Sequence, residues 1–273
     1  MKRILVPTDF SNFAENALKA AAQLARRFDA ELYLMHSLEL PFHLANAEKN
    51  DIPEAIFFMK LARQKFEEFK SKPYLKDLKV IETVEDSSTY DAVNSAVSKN
   101  EIDLVVMGSG GASGFKEFVI GSTTEKVVRH AKVPVLVIKK DMNDFKVDNF
   151  VFACDFTPES FESLLKGVAF AKLFDAHIHF LYVNTPGSFA TTQAITDRIH
   201  TFMEKVDPGP HTIHIYNDFS VEKGILNFSA STNADLIGLS THGRKGLAHI
   251  FNGSITEDFT NHSQRPVITF KMT

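Results

Sequence analysis

The stretch from Asp103 to Val137, DLVVMGSGGASGFKEFVIGSTTEKVVRHAKVPVLV, returns later in the chain as ADLIGLSTHGRKGLAHIFNGSITEDFTNHSQRPVITF, from Ala234 to Phe270. The pairs Asp103/Asp235, Gly111/Gly243, Gly121/Gly253, Ser122/Ser254, Glu125/Glu257, His130/His262 and Pro134/Pro266 are all separated by 132 positions. Upstream, Asp9/Asp155, Phe10/Phe156, Leu18/Leu164, Phe28/Phe174, Asp29/Asp175 and Ala30/Ala176 hold a separation of 146. Two registers, each kept over several pairs, mark a tandem duplication, with the first copy longer by 146 − 132 = 14 residues between Ala30 and Asp103. A chain of 273 residues suits two domains of ordinary size. The polar segment Lys139–Asn149 reads as the linker, which places the domains at 1–141 and 147–273.

Each copy alternates apolar runs with amphipathic segments. In the first, Arg3–Thr8, Leu32–His36, Leu78–Val84, Ile102–Met107 and Val133–Ile138 read as strands. Helices are expected from Ser11 as N-cap, from Pro53 to about Lys70, over Thr89–Lys99, and from Ser122 to about His130, with Leu38–Asp51 a loop. Ala14, Ala17, Leu18, Ala21 and Ala25 form one helical face. In the second copy the strands are Phe150–Cys154, Ile178–Val183, His211–Asn217, Leu236–Leu239 and Pro266–Phe270. Its helices fall near Pro158–Leu173, Phe189–Lys205, Val221–Thr232 and Ser254–His262, the first with an apolar face of Phe161, Leu164, Leu165 and Val168. Near-continuous apolar strands alternating with helices predict an α/β fold, a parallel sheet covered on both faces, twice over.

The repeated stretch has the parts of a phosphate cradle. A buried strand ends in glycines (Gly108, Gly110, Gly111, Gly114), and Gly121-Ser122 opens a helix. Glycine allows close backbone approach, and a helix N-terminus offers free N–H groups to an anion. Asp9 and the Gly108 loop both follow strand carboxyl ends, where such sheets bind ligands. Asp9 also suits a helix cap, and Ser122 and Ser254 suit caps that use the same geometry as a phosphate ligand.

Other chemistries find little support. The net charge is −4, with Lys and Arg scattered, so no nucleic-acid footprint appears. The single cysteine, Cys154, excludes an internal disulfide and reads as an inert buried thiol of a reducing compartment. The chain opens directly on MKRILVPTD, without a signal-peptide pattern, and no apolar run reaches membrane-spanning length, so a soluble cytoplasmic protein is expected. His177 and His179 alternate on one strand and His211 and His214 lie on the next. Without cysteine or a well-spaced carboxylate they read as partly buried histidines, and no metal is assigned. There is no Walker lysine, dinucleotide fingerprint or nucleophile elbow, and no pair to orient water and clamp charge. No catalytic residue is assigned, and efficient catalysis is not expected, although slow hydrolysis of a bound phosphate ligand stays open.

The spacing G-x-x-G-x9-G-S, with ILVPTDFS at the domain start and VPVLVI at its end, resembles the universal stress protein family over nearly the whole chain. The resemblance implies a Rossmann-like fold of the adenine nucleotide alpha hydrolase type, a five-stranded parallel sheet of order 3-2-1-4-5 in each domain. It implies ATP as ligand, with or without Mg2+, in a stress-response regulatory module. By that resemblance Pro7, Thr8 and Asp9 would line the adenosine, with the Asp9 carboxylate on the ribose. The Ser37 backbone would meet the adenine edge, and Met107 and Gly108 would flank the nucleoside. Gly111, Gly121, Ser122, Thr123 and Thr124 would hold the phosphates. In the second copy Asp155, Val183, Ser240, Gly243, Gly253, Ser254 and Thr256 take the matching places. There Ser240 replaces the first glycine, although Arg244 and Lys245 add charge beside the phosphates that Ala112 and Ser113 of the first copy do not offer; the first site, with the full motif, is favoured and the second left open. The resemblance also implies an internal pseudo-dimer through Val133–Ile138 and Pro266–Phe270, with a homodimer and an unidentified protein partner left open. A partner-binding scaffold with altered sites is the alternative reading.

Overall fold

The computed structural model describes residues 1–37, 52–85, 87–110, 122–241 and 265–271. They fall into two compact units, the first drawn from residues 1–145 and the second chiefly from 146–273. The expected loop at 38–51, the glycine loop at 111–121 and the expected helix at 254–262 lie outside the described residues.

The first unit runs β1 (Arg3–Pro7), α1 (Asn12–Phe28), β2 (Glu31–Ser37), α2 (Ile52–Lys70), β3 (Val80–Glu85), α3 (Thr89–Lys99), β4 (Leu104–Gly108), α4 (Ser122–His130) and β5 (Val135–Ile138). The strands are parallel in the order β3-β2-β1-β4-β5. Local sequence sets the ends of α1. The Ser11 side chain accepts the Ala14 N–H, and Asp29 closes the helix in the left-handed region at φ 51°. Alanines at 14, 17, 20, 21, 22 and 25 are buried, which lets this helix lie close on the strands. The order reverses between β1 and β4, so a crevice opens beyond their carboxyl ends.

The second unit repeats the plan with β6 (Asn149–Ala153), α5 (Phe161–Lys172), β7 (His177–Asn184), α6 (Thr192–Met203), β8 (His211–Asn217), α7 (Val221–Ser231), β9 (Leu236–Thr241) and β10 (Val267–Lys271). Its parallel order is β8-β7-β6-β9-β10, the same topology. Its first helix ends at Lys172 with Leu173 as C-cap, and Asp175, the counterpart of Asp29, takes the left-handed region at φ 56° in the turn that follows. The recurring Asp103 and Asp235 are structural. Each carboxylate accepts backbone N–H groups at the start of the unit's first strand, Lys2 and Arg3 in one case, Asp148 and Asn149 in the other.

Three expectations need correction. The helix expected from Pro158 begins with a 3-10 turn, Pro158–Ser160, and becomes α-helical only at Phe161. Leu165 is 40% exposed; the helix buries Ser163, Leu164, Gly167, Val168, Phe170 and Ala171 instead. The first helix of the first unit buries the same stripe: Ala17, Leu18 and Ala21 hold there the places of Ser163, Leu164 and Gly167, and Leu165 stands at the place of Lys19, so small residues and not Leu165 face the sheet. The helix expected from Phe189 begins at Thr192, where Thr191 caps it by accepting the Ala194 N–H, and Phe189 stays exposed.

Candidate functional site

At the carboxyl end of β1 the chain makes a tight, closed turn. The Thr8 N–H donates to the Met35 carbonyl (2.8 Å), which carries the β1–β2 pairing one residue past Pro7. Thr8 Oγ1 then accepts the Phe10 N–H at 3.0 Å, and Asp9 Oδ1 accepts the Ser11 N–H at 3.0 Å. Between them Phe10 is held at φ 61°, an uncommon conformation for a bulky residue and a sign of a turn fixed by its surroundings. The result presents the Asp9 side chain at the sheet edge, exposed, while Thr8 is 6% exposed. His36 Nδ1 lies 2.7 Å from the Thr8 carbonyl, and its ring is 4.6 Å from that of Phe10.

The opposite wall is the end of β4. A side chain at Gly108 would place its Cβ 2.5 Å from the Phe13 carbonyl oxygen, so only glycine lets α1 approach this strand end. Thr124, buried in the first turn of α4, donates its hydroxyl to the Gly108 carbonyl at 3.1 Å. Ser37 ties the end of β2 to the Ser87 carbonyl through its hydroxyl, leaving its backbone at the rim. Between these walls is a cavity of about 180 Å³. Pro7, Thr8, Asp9, Ser37, Met107, Gly108, Thr123 and Thr124 line it together with Ala14, Met35, His36, Thr89 and Gly110. Gly111 and Gly121 lie outside the described residues; Ser122 begins α4.

The second unit builds the same turn from different atoms. Cys154 Sγ, in the place of Thr8 Oγ1, accepts the Phe156 N–H at 3.3 Å, and Phe156 takes φ 53°. Asp155 Oδ1 accepts both the N–H (3.2 Å) and the hydroxyl (3.1 Å) of Thr157. Burial pushes the Cys154 thiol up to about 12, which fits the expected inert thiol. Ser240, at the place of Gly108, hydrogen-bonds Ser163 through their hydroxyls at 2.6 Å. A cavity of about 420 Å³ brings together Ala153, Cys154, Asp155, Val183 and Ser240, with Tyr182 and Arg198 on its wall. Gly243, Gly253, Ser254 and Thr256 lie outside the described residues, as do Arg244 and Lys245.

A sequence model of the universal stress protein family matches residues 1–139 and, a second time, 146–271. The chain belongs to the universal stress protein family. A universal stress protein of Methanocaldococcus jannaschii is 31% identical over 150 residues, covering 51% of this chain and 82% of that protein. Another, from Synechocystis sp., is 21% identical over 292 residues and covers 99% of this chain and 100% of its own. Among solved structures, a universal stress protein from Archaeoglobus fulgidus shares the fold with a TM-score of 0.64 at 21% identity, covering 99% of this chain and 96% of that one.

Two features of this tandem universal stress protein escaped sequence reasoning. One is the left-handed Phe10/Phe156 turn, although its recurrence in both copies was visible as a pair at 146 positions. The other is His36, whose bond to the Thr8 carbonyl depends on β1 and β2 being neighbours and leaves no mark in local sequence. Among the described residues no group of three or more His, Cys, Asp or Glu is set to hold a metal ion, and no helix is long and apolar enough to cross a membrane.

Proposed function

We propose that this tandem universal stress protein binds an adenine nucleotide, ATP, in its first unit, and acts as a cytoplasmic regulatory module of the stress response. The observation that carries the reading is the first unit's crevice at the strand-order reversal. Every described first-copy candidate residue except Ser122, which opens α4 beside it, lines one cavity there. The Asp9 carboxylate at the sheet edge suits ribose hydroxyls. The start of α4, with Thr123 and Thr124 on the cavity wall, suits phosphate through the positive end of the helix dipole. Nucleotide binding would stabilise the folded state by mass action and bias the surface offered to a partner. The tandem order fits an internal pseudo-dimer.

The test is the small-molecule content of freshly purified protein, released by denaturation and weighed by mass spectrometry, followed by calorimetry with Mg-ATP. One equivalent of ATP per chain, lost in Asp9→Ala, supports the reading. A protein that arrives empty and gives no heat with Mg-ATP overturns it. ADP in place of ATP, with phosphate release that Asp9→Ala slows, would instead point to a slow ATPase. The scaffold reading is favoured for the second unit alone, because Ser240 and Ser163 close on each other and both Thr157 donors engage one oxygen of Asp155.

A further inference from the structure

The second unit holds a cavity of about 580 Å³ that is separate in chemistry from the crevice above. Its floor and walls are Phe156, Pro158, Phe161 and Phe202, and Asp197, Arg198, Thr201 and Lys205 complete it. The rings are fixed edge to face, with Phe156–Phe202 centroids at 5.6 Å and Phe161–Phe202 at 5.2 Å. The volume falls in the range of small-molecule sites, roughly 300–1,000 Å³.

The first unit shows what has changed. There Phe10, the counterpart of Phe156, is packed by two phenylalanines of α2, Phe66 and Phe69, each 5.2 Å away. Beside them stands a closed polar cluster. Glu15 accepts from Lys72 Nζ, 3.3 Å away as an ion pair, and from the Tyr74 hydroxyl at 3.3 Å. Lys205 follows Phe202 by three residues, as Lys72 follows Phe69. Phe161, however, stands 146 positions after Glu15. The second unit has therefore kept the lysine and replaced its carboxylate with a phenyl ring. Lys205 has no ion-pair partner among the described residues, while the Asp197 carboxylate accepts from Gln193 at 2.8 Å. Arg198 lies over the Tyr182 ring at 5.9 Å and adds a second cation to the cavity wall.

We propose that this cavity binds a small amphipathic monocarboxylate, its hydrocarbon part among Phe156, Pro158, Phe161 and Phe202 and its carboxylate on Lys205, in the role Glu15 plays for Lys72. The chain supplies the apolar surface, and the ligand supplies the missing anion. An aromatic or aliphatic body satisfies the same walls, because phenyl faces and edges accept both.

The test is calorimetry on the full chain with 2-naphthoate and decanoate, and with 2-naphthalenemethanol as an uncharged probe. Saturable one-to-one binding of either carboxylate is expected. Lys205→Met, at an exposed position that keeps the aliphatic stem, should weaken the carboxylates roughly three- to tenfold and leave the alcohol unchanged. Phe161→Glu, which restores the first unit's residue, should abolish carboxylate binding, while Phe161→Leu retains it. Saturating Mg-ATP should not compete. The proposal is overturned by no binding to low-millimolar probe, by Lys205→Met or Phe161→Glu binding like the parent, or by displacement with ATP.

Discussion

The two units fill the same layer by opposite means. In the first, Val6 and Ala21 are both fully buried; at the matching places in the second stand Phe152 and Gly167. Likewise Ile4 and Val106 become Phe150 and Gly238. The exchange is reciprocal in volume. A Cβ on Gly167 would come 2.3 Å from the Phe152 ring, and one on Gly238 would come 2.5 Å from that of Phe150. The rings so admitted continue through Phe170, Phe180 and Phe270, with centroids about 6 Å apart. Duplication has preserved the space between helix and sheet, and either element can supply the atoms that fill it. The site follows another rule. Gly108 yields to main-chain atoms of Phe13, whereas Ser240 stands at the matching place and bonds Ser163, three residues past the 3-10 turn Pro158–Ser160.

That contrast puts the largest expected effect at Gly108. The atoms met by a new Cβ are the Phe13 carbonyl oxygen and carbon, at 2.5 and 2.6 Å, and main chain inside a helix cannot rotate aside. Gly108→Ala should cost about 3 kcal/mol in urea unfolding of the first unit and abolish nucleotide binding there. Ser240→Gly should cost about 1 kcal/mol, the value of one hydroxyl hydrogen bond. Equal losses at the two positions would show that the units are built alike and break the comparison.

A smaller effect is expected at Gly167. Alanine in a helix interior normally gains about 1 kcal/mol over glycine. Here the clash with an enclosed ring should reverse the sign and leave a net loss of about 2 kcal/mol. Adding Phe152→Val should recover part of it, since that pair is what the first unit uses. Simple additivity of the two changes in a double-mutant cycle would refute the reciprocal account.

Proton titration separates the units again. On one face of the second sheet Thr212 Oγ1 sits 3.2 Å from His177 Nε2, 2.9 Å from His179 Nδ1 and 2.8 Å from His214 Nε2. Asn149 from β6 and Phe228 from α7 complete the surroundings. Burial, then the neighbouring imidazoles, holds His179 below 6.5; burial, then His177, does the same for His214. A histidine with a lowered folded pKa binds its proton more readily when unfolded. Its contribution to stability is therefore present above 6.5 and is lost as pH falls below that value. The same face of the first unit carries Arg3, Glu31, Tyr33 and Lys79, and Glu31 is lowered chiefly by its bond from Lys79. That contribution is lost only as pH falls below 4.5. Hydrogen exchange, corrected for intrinsic pH dependence, should show β7 and β8 loosening between pH 7 and 5.5 while β2 and β3 do not. His179→Gln should flatten the difference.

Much of this was legible from residues. Ser11, Pro53 and Thr89 sit in the first turns or caps of their helices as local rules require, and the parallel sheets follow from apolar runs alternating with helices, while their strand order was implied only by the family resemblance. Candidate residues as distant as Asp9, Met107 and Thr124 meet in one cavity because the duplicated pattern marks strand carboxyl ends. What was not legible depended on small residues or on a neighbour. Periodicity placed Leu165 on the apolar face, but the buried stripe runs through Ser163 and Gly167, which hydropathy does not mark. The large cavity beside Phe202 is invisible without knowing that Phe161, which takes the register position of Glu15, packs its ring against Phe202.

The smallest effect tests whether the turn behind each carboxylate is one device or two. Thr8 Oγ1 and Cys154 Sγ both accept the N–H of a left-handed phenylalanine two residues on, at 3.0 and 3.3 Å. Sulfur is the weaker acceptor, and Ser160 Oγ at 3.3 Å shares it. If the acceptor alone matters, Cys154→Thr should hold or raise stability by up to about 1 kcal/mol, and Cys154→Val, which fills the space without accepting, should lower it by about 1–2 kcal/mol. The parent thiol should react slowly with iodoacetamide at pH 8, since its titration is pushed up to about 12. A valine variant as stable as the parent would mean that packing around Phe156, and not the hydrogen bond, holds the turn. In the second unit that ring is 2% exposed and packed edge to face on Phe202, as Phe10 is packed on Phe66 and Phe69, so the outcome there measures how the task is divided between packing and the acceptor.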